Sequence, residues 1–91
     1  MMELRRGNRE ARDGKIRINW RDASGASFGS VGKLIDVSGS GMCADIDRRI
    51  EPNTPVLVES RDARVAGTAV ISHCRSKGMG YRVGIHFHNR A

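Results

Sequence analysis

Apolar and polar residues alternate along most of this chain. Alternation with a period of two is typical of half-buried β-strands, because successive side chains in a strand point to opposite faces of the sheet. In the first such segment Ile16, Ile18 and Trp20 alternate with polar residues. Five further segments have a similar pattern and are predicted to be strands: 28–37, 42–46, 56–58, 65–73 and 81–87.

Turn-forming residues separate the six segments. Ser38-Gly39-Ser40-Gly41 interrupts the chain after the second segment, since glycine adopts positive φ at no steric cost. Pro52 and Pro55 bracket the turn before the fourth, because proline lacks a backbone donor and belongs at strand ends. No amphipathic helix of useful length is predicted. The pattern predicts an all-β fold, a small six-stranded antiparallel β-barrel, whose closure leaves no unpaired strand edge.

The first residues of the chain have a different composition. Residues 1–14 contain four arginines and three acidic residues, and almost no apolar residues besides Leu4 and Ala11. A segment of this kind cannot bury itself. We therefore predict a flexible basic arm over residues 1–14 and a single barrel domain with one modest core over residues 15–91.

Charge and hydropathy restrict the function and the location of the protein. The chain has 91 residues, a net charge of +6 and a pI near 10.4. A positive field favours anionic partners, among which nucleic acid, acidic protein, anionic lipid and nucleotides remain open. No segment approaches the ~20 apolar residues of a membrane span. The charged N-terminus precedes no apolar region typical of a secretory signal, so a cytoplasmic location is expected.

The cysteines and histidines do not suggest a metal site or catalysis. Cys43 and Cys74 form no C-x-x-C pair and lie in apolar stretches, so they are interpreted as reduced core thiols. His73, His86 and His88 are too few and too poorly spaced to complete a zinc site. No Ser-His-Asp or paired-carboxylate arrangement is supported. The sequence predicts no metal, no cofactor and no enzymatic activity.

Two short motifs point to a binding function. Arg5 and Arg9 form an R-x-x-x-R in the arm, and Asp36–Gly41 forms a D-x-S-x-x-G at the end of the second predicted strand. An R-x-x-x-R occurs by chance in an arginine-rich chain, whereas D-x-S-x-x-G is scarcer. Taken alone, the first is typical of a solvated basic tail and the second of an Asx-type turn that closes a strand.

Together and in this order, the two motifs resemble those of the PilZ domain family. The resemblance covers nearly the whole chain. It extends to Gly67-Thr68-Ala69-Val70 and to residues 81–87, which are similar to the family's fifth strand and to its closing G-V-x-F strand. The resemblance implies a six-stranded antiparallel barrel. It also implies a bacterial receptor that binds the second messenger cyclic di-GMP.

The resemblance assigns ligand contacts to five residues. Arg5 and Arg9 would clamp the guanines and phosphates, since a guanidinium forks onto a phosphate or a guanine edge and stacks on a base. In an extended arm they lie ~13 Å apart, a distance that can span a folded dinucleotide. Asp36 would accept from guanine N1–H and N2–H2. Ser38 would offer its hydroxyl to a base or a phosphate. Gly41 would let the backbone approach the ligand closely or adopt a turn that a Cβ would forbid.

Two further arm residues bear on how many ligand molecules the protein would bind. Arg6 can contact a second ligand, whereas Leu4 is similar to the apolar residue that favours a single ligand in the family. The stoichiometry is therefore open. The contact to the second guanine is open as well, because Ser72 and His73 occupy a position where the family often carries tryptophan or arginine.

The end of the chain departs from the family pattern. Most members continue past the last strand into a helix that packs on the barrel, but this sequence ends at Ala91, shortly after Phe87. We expect the C-terminal helix to be lacking. A homodimer, a partner protein or further chain would then cover that end of the barrel.

Three functions remain to be compared. In the first, the arm wraps the barrel when cyclic di-GMP binds and so signals to a downstream protein partner. In the second, the protein is a small basic β-barrel that binds RNA or single-stranded DNA, but 4% aromatic residues leave few side chains to stack on bases. In the third, an adaptor binds only protein and has lost the ligand, which the intact motifs disfavour. The downstream process is open among motility, exopolysaccharide synthesis, adhesion and transcription.

Overall fold

The computed structural model describes residues 10–88, with side chains from residue 14 onward. It contains six strands: β1 (Glu10–Arg21), β2 (Ser27–Val37), β3 (Gly41–Ile46), β4 (Pro55–Ser60), β5 (Val65–Lys77) and β6 (Gly80–Phe87). Over these residues the chain forms no helix, and hence none long and apolar enough to cross a lipid bilayer.

The strands close into a barrel in the order β1-β2-β3-β6-β5-β4, and every neighbouring pair is antiparallel. The predicted fold class is confirmed. Two contacts join strands that are distant in sequence. The β3–β6 ladder contains six residue pairs, whereas the β1–β4 ladder contains only three. The β1–β4 contact is therefore the short seam of the barrel.

One face of each strand forms the core. Ile16 and Ile18 of β1 are buried, as their alternation predicts, and Val83, Ile85 and Phe87 alternate inward along β6. Fourteen buried apolar side chains form one continuous cluster, which includes a residue from the segment after β3, Ile50. Because Ile50 is only 1% exposed, the segment between β3 and β4 closes part of one barrel end.

The first strand starts earlier than the alternation predicts. β1 begins at Glu10 rather than at Lys15, and Glu10 and Ala11 pair with Val37 and Asp36 of β2. A strand ladder is made by backbone groups, so it continues through residues whose side chains have no apolar pattern. The pairing thus extends into the predicted arm. Residues 1–9 lie outside the described part of the chain, and the flexibility of the arm stays a prediction.

The second strand buries different residues than its apolar content suggests. Val31 is 55% exposed, while Ser30 and Leu34 are buried. The hydroxyl of Ser30 donates to Oδ1 of Asp47 at 2.7 Å, which satisfies this buried polar group. The apolar character of a residue does not by itself predict its burial in β2, because register decides which alternate residues face the core.

Three β-bulges interrupt the otherwise regular ladders. One extra residue is inserted in β1 between Ala11 and Gly14, one in β2 at Ile35, and one in β5 at Ser72. A bulge bends its strand and redirects the neighbouring side chains. All three lie near the level at which β2 ends and β3 begins, so the irregular pairings gather at one end of the barrel.

Candidate ligand-binding site

A row of paired residues crosses four strands at the bulged end of the barrel. Asp36 of β2 pairs with Cys43 of β3, Cys43 with Gly84 of β6, and Gly84 with His73 of β5. Each end of the row follows directly after a bulge. The bulges therefore set which side chains of β2 and β5 stand opposite the two central strands.

The row lies on the outer face of the barrel. Met42 and Ala44, the neighbours of Cys43, are buried, so the side chain of Cys43 points outward and is only half-buried. The interpretation of Cys43 as a core thiol is therefore wrong, because the register of β3 places it on the outer face of the barrel. Cys74 does pack against the core, and the two cysteines form no disulfide.

The side chain of His73 is positioned by Gly84, its partner on β6, which has no side chain. A Cβ added to Gly84 would lie 2.6 Å from Nδ1 and 2.8 Å from Nε2 of His73. Only glycine leaves this space, so the imidazole lies across β6 toward the centre of the row. Ser72 Oγ approaches His73 Nδ1 at 3.4 Å from the same bulge. The ring thereby forms one wall of the site.

The D-x-S-x-x-G motif forms a tight bend between β2 and β3. The backbone N–H of Ser38 donates to the carbonyl of Gly41 at 2.8 Å. The N–H of Phe87 donates to the carbonyl of Ser40 at 2.9 Å and ties the bend to the end of β6. The hydroxyl of Ser38 lies 3.4 Å from the Gly41 carbonyl, a long contact that leaves it available to other partners.

Packing requires glycine at position 41, in addition to any contact with a ligand. A Cβ at this position would collide with the carbonyl oxygen of Ile85 and would lie 3.4 Å from Cα of His86. Glycine therefore lets β3 and β6 approach each other directly behind the bend. The final residue of the motif maintains the shape of the site through the backbone.

One groove collects the motif and residues from two other strands. It encloses about 390 Å³ and contains all three predicted contacts that the structure describes, Asp36, Ser38 and Gly41. We call it the ligand groove. Two residues whose ligand contact the sequence left open, Ser72 and His73, also line it. The sequence assigned no contact to three further polar residues of the lining, Arg75, Arg82 and His86. The only available signal for these three is strand register, which no local motif contains.

The ligand groove has a positive wall. Arg75 pairs directly with Arg82 across β5 and β6, an arrangement of like charges that is unfavourable by itself. Arg82 donates two hydrogen bonds to the carboxylate of Asp45, with Nε 2.7 Å from Oδ1 and a terminal nitrogen 2.9 Å from Oδ2. These hydrogen bonds lower the pKa of the Asp45 carboxyl and raise the pKa of Arg82. Arg75 has no ion-pair partner among residues 14–88, so its charge can serve an anion.

The described chain begins beside this groove. Glu10 pairs with Val37 and Ala11 with Asp36, which places the start of β1 along the edge of the bend. The predicted arm contacts lie outside the described residues, and their roles stay predictions: Leu4, Arg5, Arg6 and Arg9. Within residues 14–88, no group of three or more metal-ligating side chains is assembled.

Comparison with protein families gives a match over nearly the whole chain. The model of the PilZ domain family matches residues 3–91, which include both sequence motifs and all six strands. A search of curated proteins found no match.

Proposed function

The chain belongs to the PilZ domain family, and from this we propose that it is a bacterial, cytoplasmic receptor for cyclic di-GMP. PilZ domains in general are binding modules for this dinucleotide rather than enzymes, and we propose that this protein likewise performs no chemistry. One observation carries the proposal. The Asp36–Gly41 bend, the positive wall on β5 and β6 and the start of β1 meet around one groove.

The ligand groove has groups that match the chemistry of cyclic di-GMP. The ligand contains two phosphodiester anions and two guanines. A carboxylate such as Asp36 can accept from guanine N1–H and N2–H2, an edge that adenine lacks. Arg75 can bind a phosphate, and a bound anion would relieve its repulsion with Arg82. His73 stands at the other end of the row from Asp36, where its planar ring can cover a base.

The arm supplies the remaining contacts in this proposal. Arg5 and Arg9 clamp the dinucleotide from the side opposite the barrel, and Leu4 and Arg6 influence how many ligand molecules bind. The arm joins the barrel at Glu10, directly beside the bend. Ordering of the arm on binding changes the surface that the protein shows to a downstream protein partner or to a second copy of itself.

Calorimetry with three nucleotides tests the receptor function. The full chain is titrated with cyclic di-GMP, cyclic di-AMP and GTP at one ionic strength. We expect saturable binding of cyclic di-GMP alone. Asp36 would select guanine over the adenine of cyclic di-AMP, and Arg5 and Arg9 would require the two phosphodiesters that GTP lacks. Equal binding of all three ligands, or binding of none, would contradict the proposal.

A pair of arginine variants tests the contribution of the arm. Charged hydrogen bonds contribute roughly 1.5–3 kcal/mol each, so Arg9→Ala and Arg5→Ala are each expected to weaken cyclic di-GMP binding about 10-fold to 150-fold. Arg61→Ala is the matched control, since Arg61 is an exposed arginine in the turn between β4 and β5. If Arg9→Ala and Arg61→Ala bind equally well, the arm is not a clamp.

Binding of RNA or single-stranded DNA receives no support from the described aromatic residues. Phe87 is buried, Trp20 and Tyr81 are half-buried against the core, and Phe28 is half-buried beside Trp20. None of the four lines the ligand groove beside Arg75 and Arg82. A gel-shift assay with random oligonucleotides should therefore show no strong, salt-sensitive binding.

A further inference from the structure

The seam between β1 and β4 is closed on one side and open on the other. Its ladder pairs only residues 17–19 with residues 57–59. Toward the ligand groove, side chains seal the seam. Ser60 Oγ donates to the Lys15 carbonyl at 2.7 Å, and the Lys15 N–H donates to Asp62 Oδ2 at 2.9 Å. Toward the opposite end, β1 and β4 separate and leave a cavity of about 640 Å³ between them.

The walls of this cavity are mainly apolar. We call it the aromatic groove and define it by six of the residues that line it: Trp20, Phe28, Pro55, Val56, Leu57 and Thr68. Trp20 and Phe28 pair across β1 and β2, with ring centroids 5.8 Å apart and ring planes inclined by 25°. Two stacked rings hold each other in place, so they present a preorganised apolar surface.

The aromatic groove exposes more apolar surface than folding requires. Trp20 and Phe28 are only half-buried, although they belong to the largest side chains of the protein. Leu57 is 55% exposed at the rim. Contiguous apolar surface beside polar residues is characteristic of protein interaction sites, and tryptophan and arginine are enriched among residues that dominate binding energy.

Two arginines lie beside this apolar surface. Arg21 lines the groove, and the guanidinium carbon of Arg48 lies 5.3 Å from the centroid of Phe28. Within residues 14–88, neither arginine lies within ion-pair distance of a carboxylate. The nearby Asp22 is occupied by its own turn, where it accepts from the N–H groups of Ser24 and Ala26.

We propose that the aromatic groove is the docking site for a partner-protein segment that carries large apolar side chains flanked by carboxylates. The apolar side chains would bury against Trp20 and Leu57, and the carboxylates would pair with Arg21 and Arg48. A second copy of the chain fits less well. Isologous docking on this surface would bring the same arginines of both copies together.

The aromatic groove is separate from the ligand groove. No residue of the described chain lines both cavities, although His88 of the aromatic groove follows His86 of the ligand groove by two residues. Trp20 lies nine residues along β1 from Ala11, the partner of Asp36, which corresponds to roughly 30 Å of strand. The docking inference therefore needs no bound dinucleotide. Its test is performed without cyclic di-GMP, so a negative result would leave the receptor proposal untouched.

The test is a selection from a phage-displayed library of random peptides of about twelve residues on the immobilised full chain. We expect enriched peptides to combine aromatic or aliphatic residues with aspartate or glutamate. Trp20 is the only tryptophan in the protein, so its fluorescence reports occupation of the groove by a tryptophan-free peptide. No enrichment, or enrichment of basic or neutral peptides, would overturn the proposal.

Two variants and two matched controls locate the binding. Leu57→Ser and Arg21→Glu should each weaken the selected peptides at least about 10-fold. The controls are Val31→Ser, equally exposed at 55% but outside the groove, and Arg61→Glu, and both should stay within about 2-fold. Because all four side chains are exposed, thermal melts should show intact folding.

Two further outcomes would also overturn the inference. The first is peptide binding that Leu57→Ser and Arg21→Glu leave unchanged, because the peptides would then bind elsewhere. The second is a dimer in sedimentation velocity that Leu57→Ser abolishes, because the occupant of the groove would then be a second copy of this chain.

Discussion

The two ends of the barrel differ in how their strands pair. Around the ligand groove, bulges interrupt β1, β2 and β5, and the outward side chains are polar. Around the aromatic groove, the β1–β2 ladder runs without a register shift from Gly14 to Arg21 and pairs Trp20 with Phe28. Regular pairing thus supports a rigid apolar surface, while irregular pairing redirects polar side chains that strict alternation would place elsewhere.

Glycine is needed for different reasons at the ligand groove and in the turn between β1 and β2. At the ligand groove, Gly41 allows β3 to approach β6, and Gly84 allows the ring of His73 to lie across the sheet. Nothing lies within 4 Å of a Cβ built on Gly25, in the turn between β1 and β2, and this residue needs glycine for its φ of 91° instead. Gly41 and Gly84 are therefore sensitive to added atoms, and so is Gly32 in the regular part of β2, where a Cβ would collide with the carbonyl oxygen of Asp45.

The largest expected effect comes from the regular part of the barrel. Ile18 is fully buried and pairs with Val58 at the centre of the three-pair seam. Ile18→Ala should reduce the free energy of unfolding by roughly 2–5 kcal/mol, because truncation leaves a cavity. Val37→Ala, at the half-buried end of β2, should cost less than about 2 kcal/mol. Urea unfolding measures both, and equal losses would mean that the two ends do not differ in packing.

The regular part of the fold was predictable because alternation is a local signal. Ile16 and Ile18 identified the inward face of β1, and six alternating segments identified the barrel. The start of β1 at Glu10 was missed, because backbone pairing needs no apolar side chains. The exposure of Val31 could not be predicted, because apolar content does not reveal which alternate residues face inward.

A local motif placed the β2–β3 side of the ligand groove, and on β5 the family resemblance marked only the position of Ser72 and His73. Asp36, Ser38 and Gly41 lie within one short motif, so local sequence places them together. Arg75 and Arg82 become neighbours of that motif only through the register of β5 against β6 and of β6 against β3. A bulge at Ser72 adds one residue to that register, and nothing in the local sequence identifies it.

The second prediction asks whether the bulged end carries the ligand specificity. Asp36→Ala should weaken cyclic di-GMP binding about 10-fold to 150-fold, since it removes a charged acceptor worth roughly 1.5–3 kcal/mol. The matched control is Asp22→Ala, at the aromatic end of β1, which should leave the affinity within about 2-fold. Calorimetry measures both. Comparable losses in the two variants would indicate a general electrostatic effect in place of a local contact.

The third prediction compares two glycines of the same bend. Gly41→Ala should destabilise the protein by roughly 1–3 kcal/mol, because the new Cβ collides with the backbone of Ile85. Gly39→Ala should change stability by less than about 0.5 kcal/mol, since nothing lies within 4 Å of a Cβ built there. Thermal unfolding distinguishes them. If both variants unfold like the parent, β3 and β6 are not as tightly packed as the structure shows.

The smallest expected effect is the acid dependence of the Asp45–Arg82 pair beside the ligand groove. Its side chains are 32% and 23% exposed, so solvent screens the interaction. Hydrogen bonds from Arg82 lower the pKa of Asp45 in the folded protein, so the unfolded chain takes up this proton at a higher pH than the folded chain. The stabilisation is complete above the unfolded-state pKa of about 3.9 and is lost as pH falls through the lower folded-state value.

Asp45→Asn should therefore lose less stability on acidification below about pH 4 than the parent does, although it is slightly less stable at neutral pH. Arg82→Gln should flatten the same acid dependence, because it removes the cause of the pKa shift. Urea unfolding of the parent, both single variants and the double variant forms a thermodynamic cycle over this pH range. If the parent and Asp45→Asn lose stability in parallel, then the fork between Arg82 and Asp45 does not hold in solution. Arg82 would then be as available to an anion as Arg75, and the positive wall would carry two uncompensated charges.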